Sequence, residues 1–195
     1  NLYLFLKNIT NRASEELIKE NIKDLQNFKT RYTYSDSCFR SSEYIYNYFS
    51  SIGLDTVNFH YYNITGDTTQ RRNVVGTLKG KVNPQHIYII CGHYDSISRE
   101  SSMTNAPGAN DNASGTSGVM ESARILSKYE FDATIKFIVF SGEEQGLYGS
   151  KYYAQDAKAN GDSILGVINL DMISYQAGVN DIYVESWIEW ESFYN

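Results

Sequence analysis

The chain has 195 residues, of which 42% are hydrophobic and 21% charged, with a formal net charge of −6. That length suits one domain with a substantial core, and the composition excludes disordered, fibrous and membrane-spanning classes. The acidic balance leaves no basic footprint, so neither nucleic acid nor an anionic membrane is an expected partner.

Only two cysteines occur, Cys38 and Cys91, and neither has a paired metal-ligand spacing, so a disulfide framework is not expected. Cys91 ends an apolar run and reads as a small buried hydrophobe. The Asn-x-Ser/Thr triplets at Asn8, Asn63 and Asn112 are compatible with a secreted protein, the location expected here.

In chain order, Leu17, Ile18, Ile22, Leu25 and Phe28 recur at helical spacing, which predicts an amphipathic helix over Ser14 to Phe28 capped by Ser14. TRYTYSDSCF reads as a loop. Ser41 to Ile52 then forms a second helix with an inner stripe of Tyr44, Ile45, Tyr48 and Phe49, stopped by Gly53. Val57 to Tyr62 and Asn73 to Leu78 predict antiparallel strands, being rich in β-branched and aromatic residues between turn formers. His60 and His86 stand alone in this stretch and read as structural or surface residues.

Ile87 to Cys91 is a nearly continuous apolar run, the pattern of a strand covered on both faces, and it delivers His93 and Asp95 at its exit. A long loop, Ser96 to Ala109, leads to Asp111 and is expected to be functional. A helix follows from Asn112 to Tyr129, its small leading residues allowing close approach to a sheet. Thr134 to Phe140 is another covered strand, followed by the SGEEQG loop and a helix from Leu147 to Ala159. Ile164 to Leu170 is a strand ending at Asp171. Asp181 to Glu185 predicts a further strand, and Ser186 onward a short aromatic helix. No repeat or linker divides the chain, so residues 1–195 read as one α/β domain.

Three of these segments place metal-type side chains just beyond strand-like runs, His93 with Asp95, Glu143 with Glu144, and Asp171, while Asp111 lies in a loop that opens directly into a helix. In an open α/β sheet the ligand crevice lies outside the carboxyl ends of the strands, so residues distant in sequence can converge there. One imidazole among carboxylates suits zinc, with cobalt or manganese as substitutes, and argues against an all-oxygen calcium site. Asp111 has two oxygens and can bridge two ions. Asp95, two residues beyond His93, is placed to orient the imidazole through its other N–H. The Glu143-Glu144 doublet has no packing rationale, and its charges repel without a cation nearby. Because adjacent side chains diverge, one can bind metal while the other acts as general base. Alone, each piece has a plainer explanation as a surface polar cluster, a glycine-rich helix entry or a solvated doublet. Their joint occurrence at successive strand ends points to a metal site.

The motifs NVVGTLKG, GHYDS, PGANDNASG, GEEQGLYGS and NLDM together resemble the co-catalytic di-zinc aminopeptidases of the bacterial leucyl aminopeptidase and aminopeptidase Y type. That family also holds glutamate carboxypeptidases and, more distantly, glutaminyl cyclases. The resemblance runs from about residue 30 onward. It implies a mixed, mostly parallel central sheet with helices on both faces, two zinc ions and a peptide substrate attacked at its free N-terminus. By position, His93 and Asp171 would bind one zinc, Glu144 the other and Asp111 both, with Glu143 as base and a non-proline cis peptide after Asp111. One departure stands out. The family's second zinc takes a histidine from well downstream of Asp171, and no histidine follows His93 in this chain. The resemblance therefore implies either a catalytic domain lacking its C-terminal part or a peptidase-like domain without turnover, and in either case a site beside Glu144 weaker than the one beside His93.

Overall fold

The computed structural model describes residues 2–175. In chain order the elements are α1 (Leu2–Thr10), α2 (Glu15–Asn27), α3 (Asp36–Ser51), β1 (Thr56–Tyr62), β2 (Arg71–Leu78), β3 (Asn83–His93), α4 (Gly115–Leu126), β4 (Ala133–Phe140), α5 (Tyr148–Asn160) and β5 (Ser163–Asn169). The strands form one mixed sheet in the order β1-β2-β4-β3-β5. β1 and β2, and β2 and β4, pair antiparallel, whereas β3 runs parallel to both β4 and β5. Pairing of His93 with Phe140 and of Cys91 with Asn169 brings the carboxyl ends of the three parallel strands into line.

Helices cover both faces. On one, Leu25 of α2, Ile45 and Phe49 of α3, and Val119 and Met120 of α4 close over Val74 and Phe137, all 0% exposed. Each such side chain contributes about 1.5–3 kcal/mol through removal from water. On the other face Ile87, Ile89, Cys91 and Ile138 pack under Tyr153 of α5. Cys38 and Cys91 are both buried free thiols, which burial pushes up to about 12.

Ser14 caps α2 as expected, its Oγ accepting the Leu17 N–H at 3.2 Å. Gly53, at φ +87°, follows the last turn of α3 and supplies the left-handed conformation that ends it. α3 nevertheless starts at Asp36, so the last four residues of TRYTYSDSCF are helix rather than loop. The reason is local: the Ser35 hydroxyl accepts the Cys38 N–H at 3.2 Å, and Asp36 lies in the positive first turn. α1 is an additional helix not expected from the sequence, and its Leu2, Tyr3, Leu4, Phe5 and Leu6 are all exposed.

Two other expectations need correction. β3 is covered towards its carboxyl end only, since Tyr88 is exposed and the strand begins among exposed residues. The helix expected from Asn112 becomes regular only at Gly115 and ends at Leu126. Before it, Ala109–Ser114 forms a wider π-type turn in which Asp111 (φ −105°, ψ 101°) and Asn112 (φ −130°, ψ 46°) depart from helical values. The Asp111–Asn112 peptide is cis, as the resemblance implies. No described helix is long and apolar enough to cross a membrane. The strand and helix expected over Asp181 to Glu185 and from Ser186 onward lie outside the described residues.

Candidate metal centre

His93 is the last residue of β3 and is almost fully buried. Its main-chain carbonyl accepts the Thr116 hydroxyl from the first turn of α4 at 2.7 Å, fixing the strand end to that helix. The ring Nε2 lies 3.2 Å from Asp111 Oδ1, 3.6 Å from Asp171 Oδ1 and 3.9 Å from Glu143 Oε2. Among the described residues, His93, Asp111 and Asp171 form a group whose ligand atoms all lie within 4.8 Å of one another. Side chains separated by up to 78 positions thus meet at the carboxyl edge of the sheet, where an open α/β fold binds ligands.

The cluster is built for a cation. Burial alone would lower the His93 pKa, but the surrounding carboxylates of Asp111, Asp171 and Asp95 outweigh it and hold the value at about 12. Asp111 is held below its ordinary value, first by its contact with His93. Glu144 moves the opposite way. Burial, then the charges of Asp111 and Asp95, push its carboxyl up to about 7, and Glu143 is raised by burial and the same neighbours. An imidazole beside carboxylates, with further acids short of positive charge, is a donor set that fits zinc. Glu144 lies outside the tight group of His93, Asp111 and Asp171.

Asp95 differs in detail from its expected position. His93 Nδ1 lies 3.2 Å from the Asp95 main-chain oxygen and 3.5 Å from its carboxylate. The fully buried carboxylate accepts the backbone N–H groups of Glu143 and Glu144 at 3.2 and 3.3 Å, and the Thr33 hydroxyl at 2.9 Å. Asp95 therefore joins the histidine strand to the acidic loop. The other histidines sit elsewhere: His60 contacts Asp156 at 2.9 Å, and His86 pairs with Ser163 near the opposite end of β3.

Asn112 was not legible as a functional residue, yet its buried side chain grips the segment carrying Asp171 from both sides. Its Nδ2 donates to the Leu170 carbonyl at 2.9 Å, and its Oδ1 accepts the Met172 N–H at 3.2 Å and the Gly115 N–H at 2.9 Å. Ser114 Oγ and Asn110 Oδ1 accept the next two N–H groups, of Ile173 and Ser174. Gly115 is required for this approach, because a Cβ there would lie 2.1 Å from the Leu170 oxygen. The only sequence signal was the density of Asn, Ser and Gly around Asp111, which reads equally as a helix entry.

A family model for peptidase family M28 matches residues 73–192. A probable zinc metalloprotease of Phaeosphaeria nodorum is 33% identical over an alignment covering 91% of this chain and 43% of the relative. The chain thus spans less than half of that relative, and 22% of another probable zinc metalloprotease, from Pyricularia oryzae, to which it is 46% identical over 110 residues. Among solved structures, the Legionella pneumophila LapA aminopeptidase superposes with a TM-score of 0.75 at 19% identity, covering 87% of this chain and 45% of that one. Bacteroides thetaiotaomicron glutaminyl cyclase superposes with a TM-score of 0.69 at 20% identity, covering 83% and 62%. At such identities the superpositions establish the fold alone. The family match spans more than half of the sequence and includes every residue of the cluster, so the chain belongs to peptidase family M28, a family that uses zinc.

Proposed function

We propose that this chain carries the metal-binding part of a zinc aminopeptidase, which removes residues from the free N-terminus of peptides. The observation carrying this reading is the meeting of His93, Asp111 and Asp171 with Glu143 3.9 Å from the same imidazole nitrogen. His93, Asp111 and Asp171 would hold one zinc, and Asp111 with Glu144 would contribute to a second. Zinc bound there supplies a Lewis acid for the scissile carbonyl and makes a nearby water more acidic.

Glu143 is the proton carrier. Its carboxylate is a third exposed, so Oε2 faces both the cluster and incoming solvent. Burial and the neighbouring acids raise its pKa, which favours accepting a proton from the attacking water and returning it to the departing amine. Asp95 supports this role by holding the Glu143 and Glu144 backbone amides against the end of β3. A glutaminyl cyclase reading leaves His93 without a role, whereas the described geometry puts its ring nitrogen among three carboxylates. Replacing Glu143 with Gln in the full-length protein is expected to lower kcat on aminoacyl-nitroanilides by about a hundred- to ten-thousandfold, with zinc content retained. Unchanged hydrolysis would remove Glu143 as the base. Turnover of N-terminal glutamine or C-terminal glutamate substrates in place of nitroanilides would redirect the assignment to a cyclase or carboxypeptidase.

A further inference from the structure

We propose that Arg31 is a positioning residue for the metal cluster, acting from a connector that precedes the family match and holding the Asp111 loop against the end of β3. The side chain is 0% exposed, and among the described residues it makes no ion pair. Its donors go instead to four main-chain carbonyls. Nε donates to Tyr94 at 2.7 Å, Nη1 to Pro107 at 2.7 Å and Leu25 at 3.0 Å, and Nη2 to Gly108 at 2.9 Å. Tyr94 follows His93 directly, while Pro107 and Gly108 lead into Asp111, so one guanidinium joins the approaches to two of the clustered side chains.

The surroundings are shaped to the same end. The Arg31 N–H donates to Ser96 Oγ at 3.1 Å, and that hydroxyl donates to Ala106 at 2.6 Å, a second tie between the connector and the loop. Gly108 has φ +48°, and a Cβ there would lie 2.4 Å from the Asp111 oxygen and 3.0 Å from Arg31 Nη2. Two residues further along the connector, Thr33 donates to Asp95, the carboxylate that holds the Glu143-Glu144 amides. A buried charge is costly unless its donors are satisfied. A planar guanidinium spreads five donors over three nitrogens in a fixed fork and can meet four separated carbonyls at once, whereas the ammonium of lysine has three donors on a single nitrogen.

The inference rests on the zinc reading for one of its two measurements. In the full-length protein, Arg31→Lys is compared with Phe49→Leu, a core change in α3 remote from the ligand loops. Zinc affinity is measured by chelator competition, and amide exchange by mass spectrometry. Arg31→Lys is expected to weaken zinc binding about ten- to a hundredfold and to speed exchange over residues 106–114. Phe49→Leu is expected to lower the unfolding temperature without either effect. Equal losses in both variants, or an unchanged affinity and exchange pattern in Arg31→Lys, would overturn the proposal. If Arg31→Lys does not fold, Gly108→Ala decides, because its methyl group pushes the same carbonyls off the guanidinium; unaltered exchange over 106–114 in that variant overturns the proposal equally. A wild-type protein that binds zinc but cleaves no peptide removes the aminopeptidase reading and leaves this test intact. One that binds no zinc removes the zinc reading, and the exchange measurement then decides alone.

Discussion

The ends of β3 and β5 deliver two residues to the same cluster by different physical means. β3 lies between two parallel neighbours, and His93 emerges from it buried, with its carbonyl held by Thr116. Among the described residues β5 is one of the two edge strands, with Val167 and Ile168 more than half exposed, and Asp171 beyond it is itself exposed. What fixes the Asp171 segment is the row of Asn110, Asn112 and Ser114 side chains from the entry to α4. The imidazole thus leaves a buried strand end, whereas the carboxylate, beyond Leu170 on the core, depends more on side-chain hydrogen bonds. The two residues should respond to different kinds of substitution.

The largest expected effect is on the packed side. Phe137 in β4 is 0% exposed and lies under α3 and α4, so Phe137→Ala should destabilise the fold by about 3–5 kcal/mol in urea unfolding. A loss below about 1 kcal/mol would mean that this side of the sheet is not the anchor described. Next is Asn112→Ala, which strips partners from the Gly115 and Met172 N–H groups and the Leu170 carbonyl. About 1–3 kcal/mol of stability should be lost, because such buried groups are left unsatisfied. Zinc affinity should fall about ten- to a hundredfold, as when outer partners of metal ligands are removed. Calorimetric titration showing wild-type affinity in Asn112→Ala would erase the distinction between the two strand ends.

Sequence patterning carried the packed side well and the tethered side poorly, for a reason visible in the residues. Val74, Ile89, Phe137 and Val139 belong to apolar runs, and burial of such runs follows from composition and period, so the strands themselves were readable. His93, Glu143, Glu144 and Asp171 stood out as candidates because each ends or follows such a run, and Asp111 because a long loop leads to it. The contacts of Asn112 with Leu170, Thr33 with Asp95 and Arg31 with Tyr94 depend instead on where a polar side chain meets a segment 58 or more positions away, which no local period encodes. The same limit explains Asp95. Its spacing from His93 suggested an imidazole partner, while the carboxylate's hydrogen bonds go to the next loop and to the α2–α3 connector. At α3 the capping residue Ser35 was legible in principle but was outweighed by the polar run around it.

The smallest effect is expected at β5 itself, and it sharpens the contrast most. Ile168 pairs with Ile90 of β3 through the backbone, but its side chain is 59% exposed. Ile168→Thr keeps the β-branched shape and the ladder hydrogen bonds while removing apolar surface that water already reaches. Stability of the 195-residue chain should therefore change by no more than about 0.5 kcal/mol. Zinc affinity should stay at the wild-type level, because the Asn112 contacts that hold Asp171 do not involve the Ile168 side chain. A cost above about 1 kcal/mol would indicate that Ile168 is covered in solution, since exposed substitutions away from special features rarely reach that size. Asp171 would then owe its position to packing as His93 does, and the Asn112 tether would be a supplement to a buried strand rather than its replacement.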